Sequence, residues 1–298
     1  MDLDLAGVTT LVAVVRTGSF EAAARELRLT PSAVSQRVRG LETRVGRVLL
    51  RRTRPVVATE AGEVLLRLGG QLELLVEEAV EELRVEAAPA SRPPVLPVAV
   101  NADSLATWLL PVLAELHEDQ GVTFELLRDD EHHSAELLRQ GRVLGAVTAD
   151  PVPVQGCRSV PLGVLRYRAL AAPSWVARWG APPQQIEHAP VVVFDPRDTL
   201  QHRVLARRGH PDAQPPTTSV PSSWDFDRAV RMGLGWGMVP EPGLGDAVER
   251  GELVPLWDDG ELDVALWWQH WRLDSPLLRT LTEAVQRGAA AVLHPPHP

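Results

Sequence analysis

Between Thr30 and Thr43 the chain carries hydroxyl, amide and guanidinium side chains at helical spacing. They are Ser32, Ser35, Gln36, Arg39 and Thr43, with Arg37 beside them. Such groups hydrogen-bond the edges of bases and the oxygens of phosphates. Further on, Arg51, Arg52 and Arg54 crowd three guanidinium groups into one short stretch, chemistry suited to a nucleic-acid backbone or a narrow minor groove. A second candidate lies at Asn101-Ala102-Asp103-Ser104, where a strand pattern gives way to a helical one. A helix start of that kind presents free N–H groups to an anion.

These groups need elements to hold them. Val34, Val38, Leu41 and Val45 recur on the face opposite the polar set, which predicts a helix over Pro31–Val45. Thr30 is its N-cap and Pro31 its first residue, a strong start signal. Leu5, Val8, Leu11, Val12 and Val15 predict an earlier helix over about Leu3–Arg16. Gly18 ends it, and Ser19 caps a second helix over Phe20–Leu27, whose Ala23 and Ala24 permit a close crossing. Val48–Leu50 and Val56–Ala58 read as a two-stranded wing with the three arginines at its tip. The rival reading is a small helical domain with a solvated basic loop. The tandem helices favour the wing. Charge alone does not decide, although it is unevenly spread: residues 1–60 hold 10 Arg against 6 Asp and Glu, the remainder 20 against 33. A basic module on an acidic body of net charge −9 is the pattern of a nucleic-acid reader joined to something else.

From Thr59 a long apolar pattern predicts a helix over about Glu60–Val85, with Val64, Leu65, Leu68, Leu72, Leu75 and Leu83 in its stripe. At 1.5 Å per residue it reaches about 39 Å, and so apolar a helix needs a partner surface, either a second chain or its own domain. The stretch from Ala87 to Pro94 reads as a linker. After Val95, strand runs alternate with helical ones, the pattern of an α/β domain with mainly parallel strands. Examples are Val95–Val100, Val122–Leu127, Ser134–Gln140 and Leu144–Thr148.

The segments GSFEAAARELRLTPSAVSQRVRGLE and GRVLLRRTRPVVATEAG resemble the winged helix-turn-helix of LysR-type transcriptional regulators. Pro31-Ser32 and Pro55 depart from the family's common residues in the manner of its arginine- and lysine-export subgroup. VNADSLATWLLPVLAEL, GRVLGAVT, LGVLRYRALAAPSW and VVVFDPRD extend that likeness over nearly the whole chain. The resemblance implies an α/β protein overall. An all-α winged helix-turn-helix (1–58) and a dimerisation helix (59–87) would precede a two-subdomain, periplasmic-binding-protein-like effector domain (88–298). Subdomain I would span about 92–161 and 266–298, and subdomain II about 162–265. It also implies pairing of the long helix with its copy in a homodimer or homotetramer.

If the subgroup holds, the small-molecule effector is a basic amino acid. Its carboxylate needs N–H and hydroxyl donors, for which Asn101, Ser104, Thr107, Thr148 and Ser222 are candidates. Its cationic groups need carboxylates, and Asp103, Asp129, Glu131 and Asp195 follow strands, where such folds bind ligands. Trp108 or Trp224 would lie against an alkyl chain or guanidinium.

The expected partners are therefore double-stranded DNA and a basic amino acid, with RNA polymerase a further partner that a regulator allows but the sequence does not show. The lone Cys157 excludes a disulfide framework within the chain. No lysine serves a phosphate loop, and no Gly-x-Ser-x-Gly turn presents a nucleophile. No cofactor, metal site or enzymatic activity is expected. The acidic amino terminus and short apolar runs give a cytoplasmic expectation with no membrane contact. His294 and His297 fall in a Pro-rich tail expected to fray. Two rivals remain: a constitutive DNA-organising protein without effector, and an enzyme carrying an accessory DNA module.

Overall fold

The computed structural model describes residues 3–83, 93–128 and 131–295. Asp129, His297 and most of the expected linker lie outside them. The amino-terminal unit is α1 (Leu5–Thr17), α2 (Phe20–Glu26) and α3 (Pro31–Val45), followed by β1 (Leu50–Arg51) and β2 (Val57–Ala58). Side chains of Asp4, Ser19 and Thr30 cap the three helices by accepting from backbone N–H groups. Val8, Leu11, Val14, Ala23, Ala24, Val34, Val38 and Leu41 close one core among them.

The wing is smaller than expected. Each strand has two residues, paired antiparallel as Leu50 with Ala58 and Arg51 with Val57. Arg51 therefore belongs to β1, and only Arg52 and Arg54 remain at the tip. The reason is local: Pro55 has no N–H to give a ladder, and the N–H of Val56 donates to the Gly18 carbonyl at 2.9 Å.

The long helix α4 (Glu60–Glu82) starts where Thr59 Oγ1 accepts from the Gly62 N–H; residues 84 and 85 of the expected span are among those not described. One side of it packs on its own chain. Leu65 and Leu66 enter the amino-terminal core, and Leu74 enters the core of the carboxyl-terminal domain. Gly141, at φ +65°, presses on the helix so closely that a Cβ there would lie 2.6 Å from the Arg67 Cα. Val64, Leu75, Val76, Val80 and Leu83 stay exposed, so the helix keeps a second apolar edge.

The carboxyl-terminal domain begins with β3 (Val95–Val100), the single turn α5 (Ala102–Ser104), a π-helical segment Leu105–Leu109 and α6 (Leu110–Gln120). Then come β4 (Thr123–Arg128), α7 (Glu131–Arg139) and β5 (Gly145–Thr148). Strands β4, β3 and β5 lie side by side and parallel. The chain crosses on β6 (Cys157–Ala171) and builds α8 (Pro173–Trp179), β7 (Val191–Val193), α9 (Leu200–Arg207), β8 (Thr217–Ser219), α10 (Ser223–Arg231), β9 (Gly237–Pro240) and β10 (Val254–Pro255). It returns on β11 (Glu261–Trp271) and ends in α11 (Pro276–Val292).

The sheet is mixed rather than mainly parallel. The two longest strands, β6 and β11, pair antiparallel, and β11 continues antiparallel against β5 while β9 lines β6. Two strands that cross between the same two halves in opposite directions have no other way to pair. Their register breaks between Leu266 and Trp267, opposite Pro161–Gly163. At His294 the chain is pinned there instead of fraying: Val164 and His294 exchange backbone hydrogen bonds at 2.8 and 3.0 Å. Gly163, at φ +137°, is the residue that lets the tail approach, since a Cβ would lie 2.7 Å from the His294 carbonyl oxygen. The imidazole of His294 meets Glu241 at 2.6 Å. Trp268 and Trp271 are buried in the core, as strand residues should be. No helix among the described residues is long and apolar enough to cross a membrane.

Glu78 on α4 ties this domain to the helix. Its Oε1 accepts from Ser275 Oγ at 2.6 Å and from the Leu277 N–H at 3.0 Å, at the start of α11. Glu78→Ala leaves that N–H without its carboxylate and should lower stability by about 1 kcal/mol, measured by thermal unfolding of the full chain.

Candidate functional site

Burial sorts α3 into two faces. Val34, Val38 and Leu41 are sealed against α1 and α2, while Ser32, Gln36, Arg37, Arg39 and Thr43 are exposed and Ser35 is half-buried. Thr30 and Pro31 open the helix; Thr30 Oγ1 accepts from the Ala33 N–H at 3.2 Å and lies 3.0 Å from Ser32 Oγ. The one acid inside α3, Glu42, serves the fold. Its Oε1 accepts from the Leu49 N–H at 2.9 Å and anchors the wing. Arg52 sits over the Phe20 ring, 5.7 Å from its centroid, so the wing leans on α2. Arg51 reaches the Ala58 carbonyl at 3.4 Å, and Arg54 is exposed. This face, nearly free of carboxylate and rich in donors, has the groups that duplex DNA requires.

The second site is a cleft of about 930 Å³ between the halves of the carboxyl-terminal domain, within the usual size range for small-molecule pockets. Asn101 and Asp103 line it from the first half, Tyr167 and Trp267 from the crossing strands, and Asp195 and Asp198 from the second half. Asn101 Oδ1 caps the turn after β3 by accepting from the Ser104 N–H at 2.8 Å. Asp195 accepts from the N–H groups of Arg197 and Asp198, at 2.7 and 3.1 Å.

Asp103 has the most unusual surroundings. Its Oδ1 accepts from Ser223 Oγ at 2.6 Å and its Oδ2 from Tyr167 OH at 2.7 Å. Burial pushes the carboxyl above the ordinary aspartate range, the hydroxyls of Ser223 and Tyr167 pull it back, and nearby Asp198 pushes it up again. The group is thus a half-buried acid held between two hydroxyls, with no cation in contact among the described residues.

Other expected residues stand elsewhere. Ser104 is fully buried and its Oγ has no partner among the described residues. Thr107 Oγ1 donates to the Asp103 carbonyl at 2.6 Å. Trp108 packs in the core, its indole N–H also without a partner among the described residues, and does not line the cleft. Thr148 is buried, and its Oγ1 accepts from the Asp150 N–H at 3.1 Å. Ser222 caps α10, and Trp224 points outward, 81% exposed. Glu131 opens α7, and Asp129 is outside the described residues.

The cleft also holds residues that sequence reasoning passed over: Tyr167, Ser223, Asp198, Asp263 and the guanidinium groups of Arg128, Arg197 and Arg203. For Tyr167 a signal existed in the alternation of Leu165, Tyr167 and Ala169 along one strand face. Nothing local distinguishes Ser223 from Ser222. Cys157 is buried and its thiol is pushed up to about 12 by burial, which makes it a poor nucleophile at neutral pH.

A donor-rich helix of a winged helix-turn-helix, joined by a long helix to a two-part α/β domain with a polar cleft, defines a ligand-responsive DNA-binding regulator. The chain belongs to the LysR family: residues 5–63 match the bacterial regulatory helix-turn-helix protein of that family, and residues 91–290 match the LysR substrate binding domain. It is 45% identical over 290 residues to the lysine export transcriptional regulatory protein LysG of Corynebacterium efficiens, covering 95% of this chain and 97% of that protein. The crystal structure of ArgP from Mycobacterium tuberculosis superposes with a TM-score of 0.88 at 40% identity, covering 99% of this chain and 100% of that one. Full-length LysG of Corynebacterium glutamicum with bound effector Arg gives a TM-score of 0.83, also at 40% identity, covering 98% and 100%.

Ser104→Ala removes a buried hydroxyl that has no partner among the described residues, so the melting temperature of the ligand-free chain should hold or rise. A fall would reveal a contact made by this hydroxyl.

Proposed function

We propose that this chain is a transcription regulator that reads double-stranded DNA with α3 and the wing and takes a basic amino acid, arginine or lysine, in the cleft. Its target is the gene of an amino-acid exporter. The observation that carries the DNA reading is the exposure of Ser32, Gln36, Arg37, Arg39 and Thr43 on one face of α3 beside a basic wing. The effector reading rests on carboxylates lining a cleft of small-molecule size, together with the likeness to LysG bearing arginine. Ligand binding shifts the balance between cleft states only by its preference for one of them. The exposed apolar edge of α4 supports a homo-oligomer that sets two readers on two half-sites. RNA polymerase is the further partner such a regulator would engage.

Two outcomes separate this from a constitutive DNA-organising protein. Arginine or lysine should raise the melting temperature of the purified chain by mass action, and should change its binding to DNA selected from a random pool. No response to either ligand would favour the constitutive protein. On the selected DNA, Arg52→Ala should weaken binding to every sequence alike and reduce the salt slope by about 1. Gln36→Ala should instead relax discrimination at one base pair, by about 1–3 kcal/mol. An equal loss on all sequences would make Gln36 a backbone contact.

A further inference from the structure

Asp103 lies at the start of the helical stretch after β3, Ser223 opens α10 in the other half, and Tyr167 sits on the crossing strand β6 beyond the register break. One carboxyl group therefore joins the two halves of the cleft through hydroxyl groups at 2.6 and 2.7 Å. Each oxygen spends one lone pair on a hydroxyl and keeps another. A carboxylate held in protein and answered only by neutral donors is incompletely compensated. A ligand that brings a cation with N–H donors completes it, whereas a neutral or anionic ligand does not.

We propose that Asp103 is the cation receptor of the cleft and that Ser223 and Tyr167 are its positioning residues. The three side chains thereby make selection of a cationic ligand and closure of the cleft a single event. This rests on the effector reading above and extends it to residues at three separate places in the chain. Ser223 and Tyr167 aim the carboxylate: with both hydroxyls in place, its free lone pairs have a fixed direction. Because Ser223 reaches across from the far half, a ligand cation that keeps Asp103 ionised also keeps the hydrogen bond between the halves charge-assisted.

The test is calorimetric titration of the full chain and its Asp103→Asn, Ser223→Ala and Tyr167→Phe variants. The ligands are L-arginine, L-citrulline, which lacks the side-chain charge, and argininic acid, which lacks the α-ammonium. Circular dichroism melts establish that each variant is folded. Asp103→Asn should weaken arginine binding at least tenfold, and Ser223→Ala and Tyr167→Phe severalfold each. For the one analogue that lacks the group Asp103 receives, all three losses should vanish. That pattern names the docked cation, and a merely structural role would not produce it. Arginine binding by Asp103→Asn equal to that of the parent chain overturns the proposal, as does an equal loss for all three ligands. A parent chain that binds neither arginine nor lysine overturns the effector reading and this proposal together.

Discussion

Burial of Leu65 and Leu66 in one hydrophobic core and of Leu74 in the other makes α4 a structural member of both, and the remaining architecture follows from that sharing. The helix does not merely connect two domains. It is held at the amino-terminal unit by apolar contact, at Gly141 by backbone approach, and at α11 by the Glu78 carboxylate. Close-packed contacts of this kind do not deform gradually. Leu65 and Leu66 of α4 and Val34, Val38 and Leu41 of α3 lie in the same core, so the reading helix and the long helix are packed as one unit. The second apolar edge, from Val64 to Leu83, faces away from these contacts. Cohesion within the chain thus leaves one apolar side of this element uncovered.

The cleft depends on a different constraint, the antiparallel pairing of β6 with β11. These strands carry the chain between the two halves, and their broken register at Leu266 and Trp267 lies beside the cleft wall. The tail of α11 closes over the same point through Val164 and His294. A binding site built from two bodies on paired strands is precise in each half and adjustable between them.

How much was legible in the sequence depended on the range of the interactions. Helix α3 has the boundaries that its cap, its Pro31 and its apolar period predict, because those signals act within a turn or two of the chain. Strand β3 is likewise where the residues place it. The antiparallel crossing was not legible, since β6 and β11 meet only after the whole second half has been built between them. The contact of Asp103 with Ser223 joins residues 120 positions apart, and no local pattern encodes such a meeting. Ser104, Thr107 and Trp108 are absent from the cleft lining, and the chain beside them is irregular. A π-helical segment over Leu105–Leu109 widens the turn that carries Thr107 and Trp108, and nothing local in the sequence announces it.

The inertness of Cys157 has a practical side. With its one thiol buried and held in the protonated form, and with no lysine anywhere in the chain, the surface offers almost nothing to common labelling reagents. A single cysteine engineered onto the exposed face of α3 or the rim of the cleft would stand alone as a reactive handle. Spectroscopic reporters of domain movement can then be attached at one chosen position, without first stripping native residues from the protein.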